Sequence, residues 1–110
     1  MAKGDYLGEF EEIVMMAVLR LGSSAYGMTV RREIEERTGR QTSIGAVYAT
    51  LDRLESKGYV SSFTGSPTAE RGGRAKRFFQ VEADGQQALR RSREAVGKMM
   101  EGLERRLGTA

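Results

Sequence analysis

One continuous stretch in the middle of the chain sets the order helix, strand, charged loop, strand. It reads TSIGAVYATLDRLESKG from Thr42 to Gly58, then YVSSFTG, then SPTAERGGRAKRFFQV. The first part has helical periodicity, and aromatic or β-branched residues flank the basic, glycine-rich loop that follows it. A helix followed by a two-stranded hairpin is the arrangement of a winged helix-turn-helix. In that fold the helix enters a DNA major groove and the loop meets the phosphate backbone.

The helix in this stretch has one apolar face and one face of small side chains. Ser43 is a favourable N-cap. The inward stripe comprises Ile44, Val47, Leu51 and Leu54. At about 100° per residue, the opposite face carries Gly45, Ala46, Ala49 and Arg53, with Tyr48 on a flank. Such a face lets the helix backbone approach another surface closely. Plain packing of these small residues against the preceding helix is the alternative.

Two further helices are predicted before this one. The first has an apolar stripe at helical spacing, and the second runs from about Ala25 to Thr38, with Gly39 suited to its C-cap. The stripe of the first helix is Phe10, Ile13, Val14, Ala17, Val18 and Leu21. The neighbouring acids Glu11/Glu12 and Glu35/Glu36 are expected on solvated faces. The predicted fold class is therefore mainly α with a small β-hairpin.

A long last helix is predicted from about Ala83 to Leu107. Its apolar residues repeat every seven positions, and no later element is available to cover them. We therefore expect a homodimer, although the helix can also fold back on the first one. The predicted dimerisation residues are Leu89, Val96, Met99, Met100, Leu103 and Leu107. The chain divides into a winged helix-turn-helix, residues 1–82, and a dimerisation helix, residues 83–110, without a linker.

The formal charge is concentrated in the loop. The net charge of the chain is +3, and between Ser66 and Gln80 four basic residues (Arg71, Arg74, Lys76 and Arg77) oppose Glu70 alone. The rest of the chain balances to zero. A clustered excess of this kind indicates contact with phosphates. A solvated hairpin that is charged to prevent edge pairing is the alternative.

Composition excludes several other classes of protein. The chain has no cysteine and no histidine, so it has no zinc site of the usual ligands and no Cys or Ser–His nucleophile. We expect no enzyme, no metal and no cofactor. The sequence shows no apolar run of membrane-spanning length and no signal-peptide core, which makes a cytoplasmic protein the expectation. Binding to a membrane surface through the basic loop is not expected, because no apolar helix face accompanies the loop.

The layout resembles the PadR-like family of bacterial winged-helix transcriptional regulators. Three segments carry the resemblance: AYGMTVRREIEERTG, SIGAVYATLDRLESKGYV and GGRAKRFFQVEADGQQAL. The single helix after the hairpin is similar to the smaller members of the family. Two positions depart from the family pattern, because Glu82 stands where a helix-capping Thr is usual and Phe79 where Tyr is more common. The first departure leaves the start of the last helix open by a residue or two.

The resemblance implies a dimeric, sequence-specific repressor that binds a near-palindromic operator and is released by an effector. Small members bind flat, hydrophobic compounds at the dimer interface or respond to no known ligand. The residues implied in DNA binding are Ser43, Gly45, Ala46, Tyr48, Ala49 and Arg53 in the third helix, and Arg71, Arg74 and Lys76 in the wing. Tyr48 would reach a phosphate with its hydroxyl. A winged helix used only for protein docking, without DNA binding, is the alternative function.

Overall fold

The computed structural model describes residues 6–65 and 76–108 of the chain. Within them, four helices and one antiparallel hairpin follow one another, which confirms the predicted fold class. The elements are α1 (Glu9–Leu21), α2 (Gly27–Thr38), α3 (Ile44–Ser56), β1 (Val60–Thr64), β2 (Arg77–Val81) and α4 (Ala83–Met100), with a short 3-10 turn at Gly22–Ser24.

The connection between α1 and α2 is extended rather than helical. The second helix begins at Gly27 and not at Ala25, because Ala25 has an extended backbone and its carbonyl accepts a hydrogen bond from the Phe79 N–H at 2.9 Å. Tyr26 continues this contact as an isolated bridge to Phe78. The residues just before α2 therefore lie along the hairpin and hold it against the helices.

Both predicted helix caps flanking the α2–α3 connection are confirmed. Gly39 ends α2 in the left-handed region, with φ of 73°, and its N–H donates to the Glu35 carbonyl at 2.8 Å. Ser43 begins α3, since its hydroxyl oxygen accepts a hydrogen bond from the Ala46 N–H at 3.0 Å. Ser43, the N-cap that the sequence predicts, thus sets the direction of α3.

The helices and the hairpin share one apolar core. The inward stripes of α1, α2 and α3 meet there, together with Phe79 from β2. Of the predicted α3 stripe, Val47, Leu51 and Leu54 are fully buried, whereas Ile44 remains partly exposed. In the hairpin, Val60 pairs with Val81 and Phe63 with Phe78. The loop that carries Arg71 and Arg74 lies outside the described residues.

The first half of α4 packs tightly on the rest of the chain. A Cβ added to the buried Gly85 would lie 2.2 Å from the Tyr59 carbonyl oxygen, so this position admits only glycine without moving the backbone. About two turns further on, Ser92 accepts a hydrogen bond from the Leu7 N–H at 2.8 Å. Glu82 precedes the helix without capping it, because its carboxylate accepts bonds from Ser61 and Gln80 instead.

The second half of α4 differs from the prediction. The helix ends at Met100 rather than Leu107, since Glu101 leaves the helical region and Gly102 has φ of 81°. Leu89 is also not left uncovered, because it belongs to the core of its own chain with only 9% of its surface exposed. The exposed apolar residues after it are Val96, Met99, Met100, Leu103 and Leu107.

Candidate nucleic-acid interface

The outer face of α3 carries almost no side-chain bulk. Gly45, Ala46 and Ala49 are all exposed, while the opposite side of the helix is buried in the core. Ser43, at the N-cap, is exposed as well. Because methyl groups and a hydrogen are the largest groups along this face, another surface can come within contact distance of the helix backbone. The four residues lie together as the sequence predicts.

Tyr48 lies on the flank of α3 that faces the start of α2. It is half-buried, and its ring rests on Gly27, the first residue of α2. A Cβ at Gly27 would lie 2.3 Å from Cζ of Tyr48 and 2.4 Å from its hydroxyl oxygen. The sequence places Tyr48 on a flank but gives no sign of this contact with Gly27.

Lys76 lies beside the same end of α2. Its ammonium nitrogen is 4.3 Å from the centre of the Tyr26 ring, within the range of a cation–π contact. Tyr26 in turn packs edge-on against Phe78, at 5.4 Å between ring centres. The Lys76 carbonyl also accepts a hydrogen bond from the Gly65 N–H at 2.7 Å, which closes the described end of the hairpin. Lys76 is therefore held next to the N-terminus of α2.

Arg53 lies on the flank of α3 that faces α1, where it contacts a buried carboxylate. Its Nε donates to Glu11 Oε2 at 3.2 Å, and Lys57 Nζ donates to the same oxygen at 3.0 Å. The Arg53 side chain remains 53% exposed. A second nitrogen, Nη2, donates to the Thr50 hydroxyl at 3.4 Å, so this predicted DNA-binding residue is held at two nitrogens while much of its side chain still faces solvent.

The prediction that Glu11 and Glu12 lie on a solvated face is wrong. Both carboxylates are buried, and Glu12 accepts a hydrogen bond from Arg93 of α4 at 3.1 Å. Glu11 also accepts the Gly8 N–H at 2.9 Å, so that it caps its own helix. Helical periodicity does not indicate that these carboxylates are buried, because their basic partners come from distant parts of the chain. Glu35 and Glu36 remain partly or fully exposed, as expected.

Arg77 neutralises acidic residues on the hairpin side of α3. Its guanidinium contacts Asp52 at 3.0 Å and also Glu55, which accepts a further bond from the Ser62 hydroxyl at 2.7 Å. Burial on its own would lower the pKa of Arg77, but the two carboxylates more than offset this and raise it. One of the four basic residues counted in the loop region therefore balances charges within the protein.

No metal site accompanies this surface in residues 6–65 and 76–108, where no three Asp, Glu, His or Cys side chains come together. In the same part of the chain, no helix combines the length and the apolar character that crossing a membrane requires.

A model of the transcriptional regulator PadR-like family matches residues 15–91. This range includes α2, α3, the hairpin and the anchored start of α4. The chain belongs to the PadR-like family. Members of this family are regulators of transcription rather than enzymes. Among curated proteins, none matches the sequence well enough to count as a relative.

Solved structures share the fold. A PadR family transcription regulator from Clostridium difficile R20291 has a TM-score of 0.70 at 18% identity, over 89% of this chain and 98% of that one. The PadR-like regulator BC4206 from Bacillus cereus has a TM-score of 0.72 at 13% identity, over 89% and 90%. F93 from STIV, described as a winged-helix DNA-binding protein, has a TM-score of 0.68 at 16% identity, over 88% and 97%.

Glu11 lies just outside the range that the PadR-like model matches, although it holds α3 in place. Burial raises the pKa of its carboxyl group, but the hydrogen bonds from Gly8, Lys57 and Arg53 outweigh burial and leave the pKa below its usual value. A carboxyl group with a lowered pKa stabilises the fold above its unfolded pKa, and this contribution is lost as the pH falls through the folded value.

Replacing Glu11 by Gln should therefore destabilise the protein at neutral pH. We expect a loss of about 1–2 kcal/mol, because hydrogen bonds to a buried charged group are worth that much and Lys57 and Arg53 can still reach water. Urea unfolding at pH 7 measures the loss. Between about pH 5 and pH 3, the wild-type chain should lose more stability than the Glu11→Gln variant. Equal stability of the two chains at pH 7 would contradict this role of Glu11.

Proposed function

We propose that this PadR-like chain is a dimeric, sequence-specific DNA-binding repressor with α3 as its reading helix. The observation that carries the proposal is the exposed face of Gly45, Ala46 and Ala49, where the helix backbone is open to close approach. Ser43, Tyr48 and Arg53 border this face and supply polar groups. The small residues clear space for a major groove, while the polar ones provide hydrogen bonds.

The charges around α3 support docking on a polyanion. On one flank, Glu11 is matched by Arg53 and Lys57, and on the other, Asp52 and Glu55 are matched by Arg77. Carboxylates close to the duplex would repel it if they were unpaired. Because they are paired, the basic residues that precede β2, Arg71, Arg74 and Lys76, are left to attract phosphates in this proposal.

The wing supplies the backbone contacts in this proposal. Lys76 is the member that the structure describes, and it is held by Tyr26 close to the α2 N-terminus. Arg71 and Arg74 are proposed to contact phosphates or the minor groove from the loop. Protein docking without DNA is the second candidate, and it differs in predicting no salt-dependent binding to a duplex.

Replacing Ala49 by Glu should abolish DNA binding, because the change puts bulk and negative charge on the exposed face of α3. The free energy of unfolding should change by less than about 0.5 kcal/mol, as is usual for an exposed helical position. Binding to an operator selected from a random duplex pool, followed by fluorescence anisotropy, measures the effect. Size-exclusion chromatography with light scattering shows whether the oligomeric state is kept.

Two control variants show whether the loss of DNA binding in Ala49→Glu comes from the added negative charge, from the added bulk or from the position on α3. Gln87→Glu adds the same charge at an exposed site on α4 and should leave DNA binding unchanged. Ala49→Lys adds bulk without negative charge, and it should lose sequence preference while retaining non-specific binding. If Ala49→Glu binds the operator normally and keeps its oligomeric state, α3 is not the reading helix and the protein-docking function is favoured.

Replacing Lys76 by Ala should weaken binding to specific and random duplexes alike, because a phosphate contact carries no sequence information. The slope of log K against log salt should fall in magnitude by roughly 1 per contact per subunit. Lys98→Ala removes the same charge from an exposed position on α4 and serves as the control. An unchanged slope in the Lys76 variant would rule out the phosphate contact.

The dimer in this proposal forms through the second half of α4. Val96 and Met99 are 43% and 77% exposed, and Met100 at the end of the helix is exposed as well. Leu103 and Leu107, in the turns that follow the helix, are also exposed. Large apolar side chains exposed together on one segment favour a partner that buries them. Leu89 contributes by fixing α4 in the core of its own chain. A two-fold dimer would present two α3 helices to half-sites about one DNA turn apart.

Replacing Val96 by Glu should dissociate the dimer, because it places a charge among these apolar side chains. Light scattering at micromolar concentration should then report a single chain, and specific DNA binding should be lost with the pair. Lys98→Glu, two positions on and so on the opposite side of α4, should remain a dimer. A wild-type chain that is monomeric at micromolar concentration would contradict the dimer.

Release of the repressor by a flat, hydrophobic effector at the dimer interface is proposed from the family resemblance. A cytoplasmic location is proposed from the sequence composition. Since the first half of α4 is packed into the core, we propose that residues 1–82 and the α4 region form one continuous unit with two tasks.

A further inference from the structure

The backbone conformation at position 27 does not require a glycine. Gly27 is the first residue of the α-helix α2, a conformation that any L-residue adopts, and alanine is the better helix former by about 1 kcal/mol. The unusual feature of this position is the Tyr48 side chain that packs directly on it. A Cβ there would be 2.3 Å from Cζ, 2.4 Å from the hydroxyl oxygen and 2.7 Å from Cε2 of Tyr48. These distances are far inside normal contact between heavy atoms.

The atoms that a Cβ would meet belong to the far end of one side chain. Gly85 is different, because there the Cβ would meet the Tyr59 carbonyl and the backbone itself would have to move. Tyr48 is only half-buried, so its ring can swing toward solvent around an added methyl group. An alanine at position 27 is thus compatible with the fold but not with the observed position of the Tyr48 hydroxyl.

We propose that Gly27 is a positioning residue for DNA binding, which holds the Tyr48 hydroxyl where a backbone phosphate passes between α3 and the start of α2. This inference rests on the proposed DNA-binding function. Lys76, the phosphate contact proposed from the hairpin, is held over the ring of Tyr26, the residue next to Gly27. The Tyr26–Gly27 pair therefore fixes one phosphate contact from the hairpin and one from α3 at the same corner of the molecule.

A double-mutant cycle tests the inference, using the full chain and its selected operator. Tyr48→Phe removes the hydroxyl and keeps the ring, and it should weaken binding by roughly tenfold per subunit, the value of one hydrogen bond to a charged group. Gly27→Ala should weaken binding by at least the same factor. In the Gly27→Ala chain, Tyr48→Phe should cause no further loss, because the hydroxyl is already displaced.

The cycle distinguishes positioning from a general effect on the fold. If Gly27→Ala acts only through stability, Tyr48→Phe costs the same factor in both chains, and additive losses overturn the inference. Normal binding by Gly27→Ala, or a Gly27→Ala chain that does not fold, also overturns it. A wild-type chain that binds no duplex DNA overturns the proposed function and this role of Gly27 together.

A control variant and a measurement without DNA complete the test. Gly8→Ala makes the same change just before α1, where the nearest atom to the added Cβ, Glu11 Oε1, lies at an ordinary 3.8 Å, and it should leave DNA affinity unchanged. In free protein with ¹³C-labelled tyrosine rings, the NMR signal assigned to Tyr48 should shift in Gly27→Ala and stay in place in Gly8→Ala. An unshifted Tyr48 signal in Gly27→Ala would overturn the inference.

Discussion

A buried carboxylate at the start of α1 determines how α3, the proposed reading helix, lies on the rest of the protein. Glu11 accepts hydrogen bonds from Gly8, Arg53 and Lys57, so that it joins its own helix end to α3. A buried charge is stable only when it is paired and hydrogen-bonded, which makes this geometry restrictive. Glu12, one residue on, joins α1 to α4 through Arg93. The two neighbouring acids thus fix α1 to α3 and to α4, the helix that leads to the proposed dimer.

The same ion pairs shape the electrostatics of the proposed DNA surface. Arg53 and Lys57 lie over Glu11, and Arg77 lies over Asp52 and Glu55, so the carboxylates on both flanks of α3 are paired at short range. Between them the helix presents a face without charge or bulk. Attraction to phosphates then depends on the hairpin, while close fit depends on α3. This division agrees with a binding mode in which backbone contacts provide affinity and position, and contacts of the helix with base edges provide sequence specificity.

Most of the fold could be predicted from short-range patterns, and the site only in part. The stripe of Val47, Leu51 and Leu54, the cap at Ser43 and the hairpin are local signals, and each is confirmed. The bonds from Glu11 to Arg53 and Lys57 join residues 42 and 46 positions apart, and no periodicity reports such pairs. The Tyr48–Gly27 contact was missed for the same reason. The end of α4 was overestimated because a heptad repeat continues in the sequence after the backbone leaves the helix at Glu101.

The links from α1 also bear on how a dimer of this chain would respond to an effector. Since α1 is tied to α3 through Glu11 and to α4 through Glu12, and Gly85 leaves no room between α4 and Tyr59, these contacts hold the three helices together as one unit. A ligand at the proposed interface would bind the exposed half of α4, beyond this unit. In the proposed dimer it would change the angle between two such units, and the spacing of the two α3 helices would change with it. Because half-site spacing is fixed by the DNA helix, a small rotation at that interface is sufficient to remove one α3 helix from its groove.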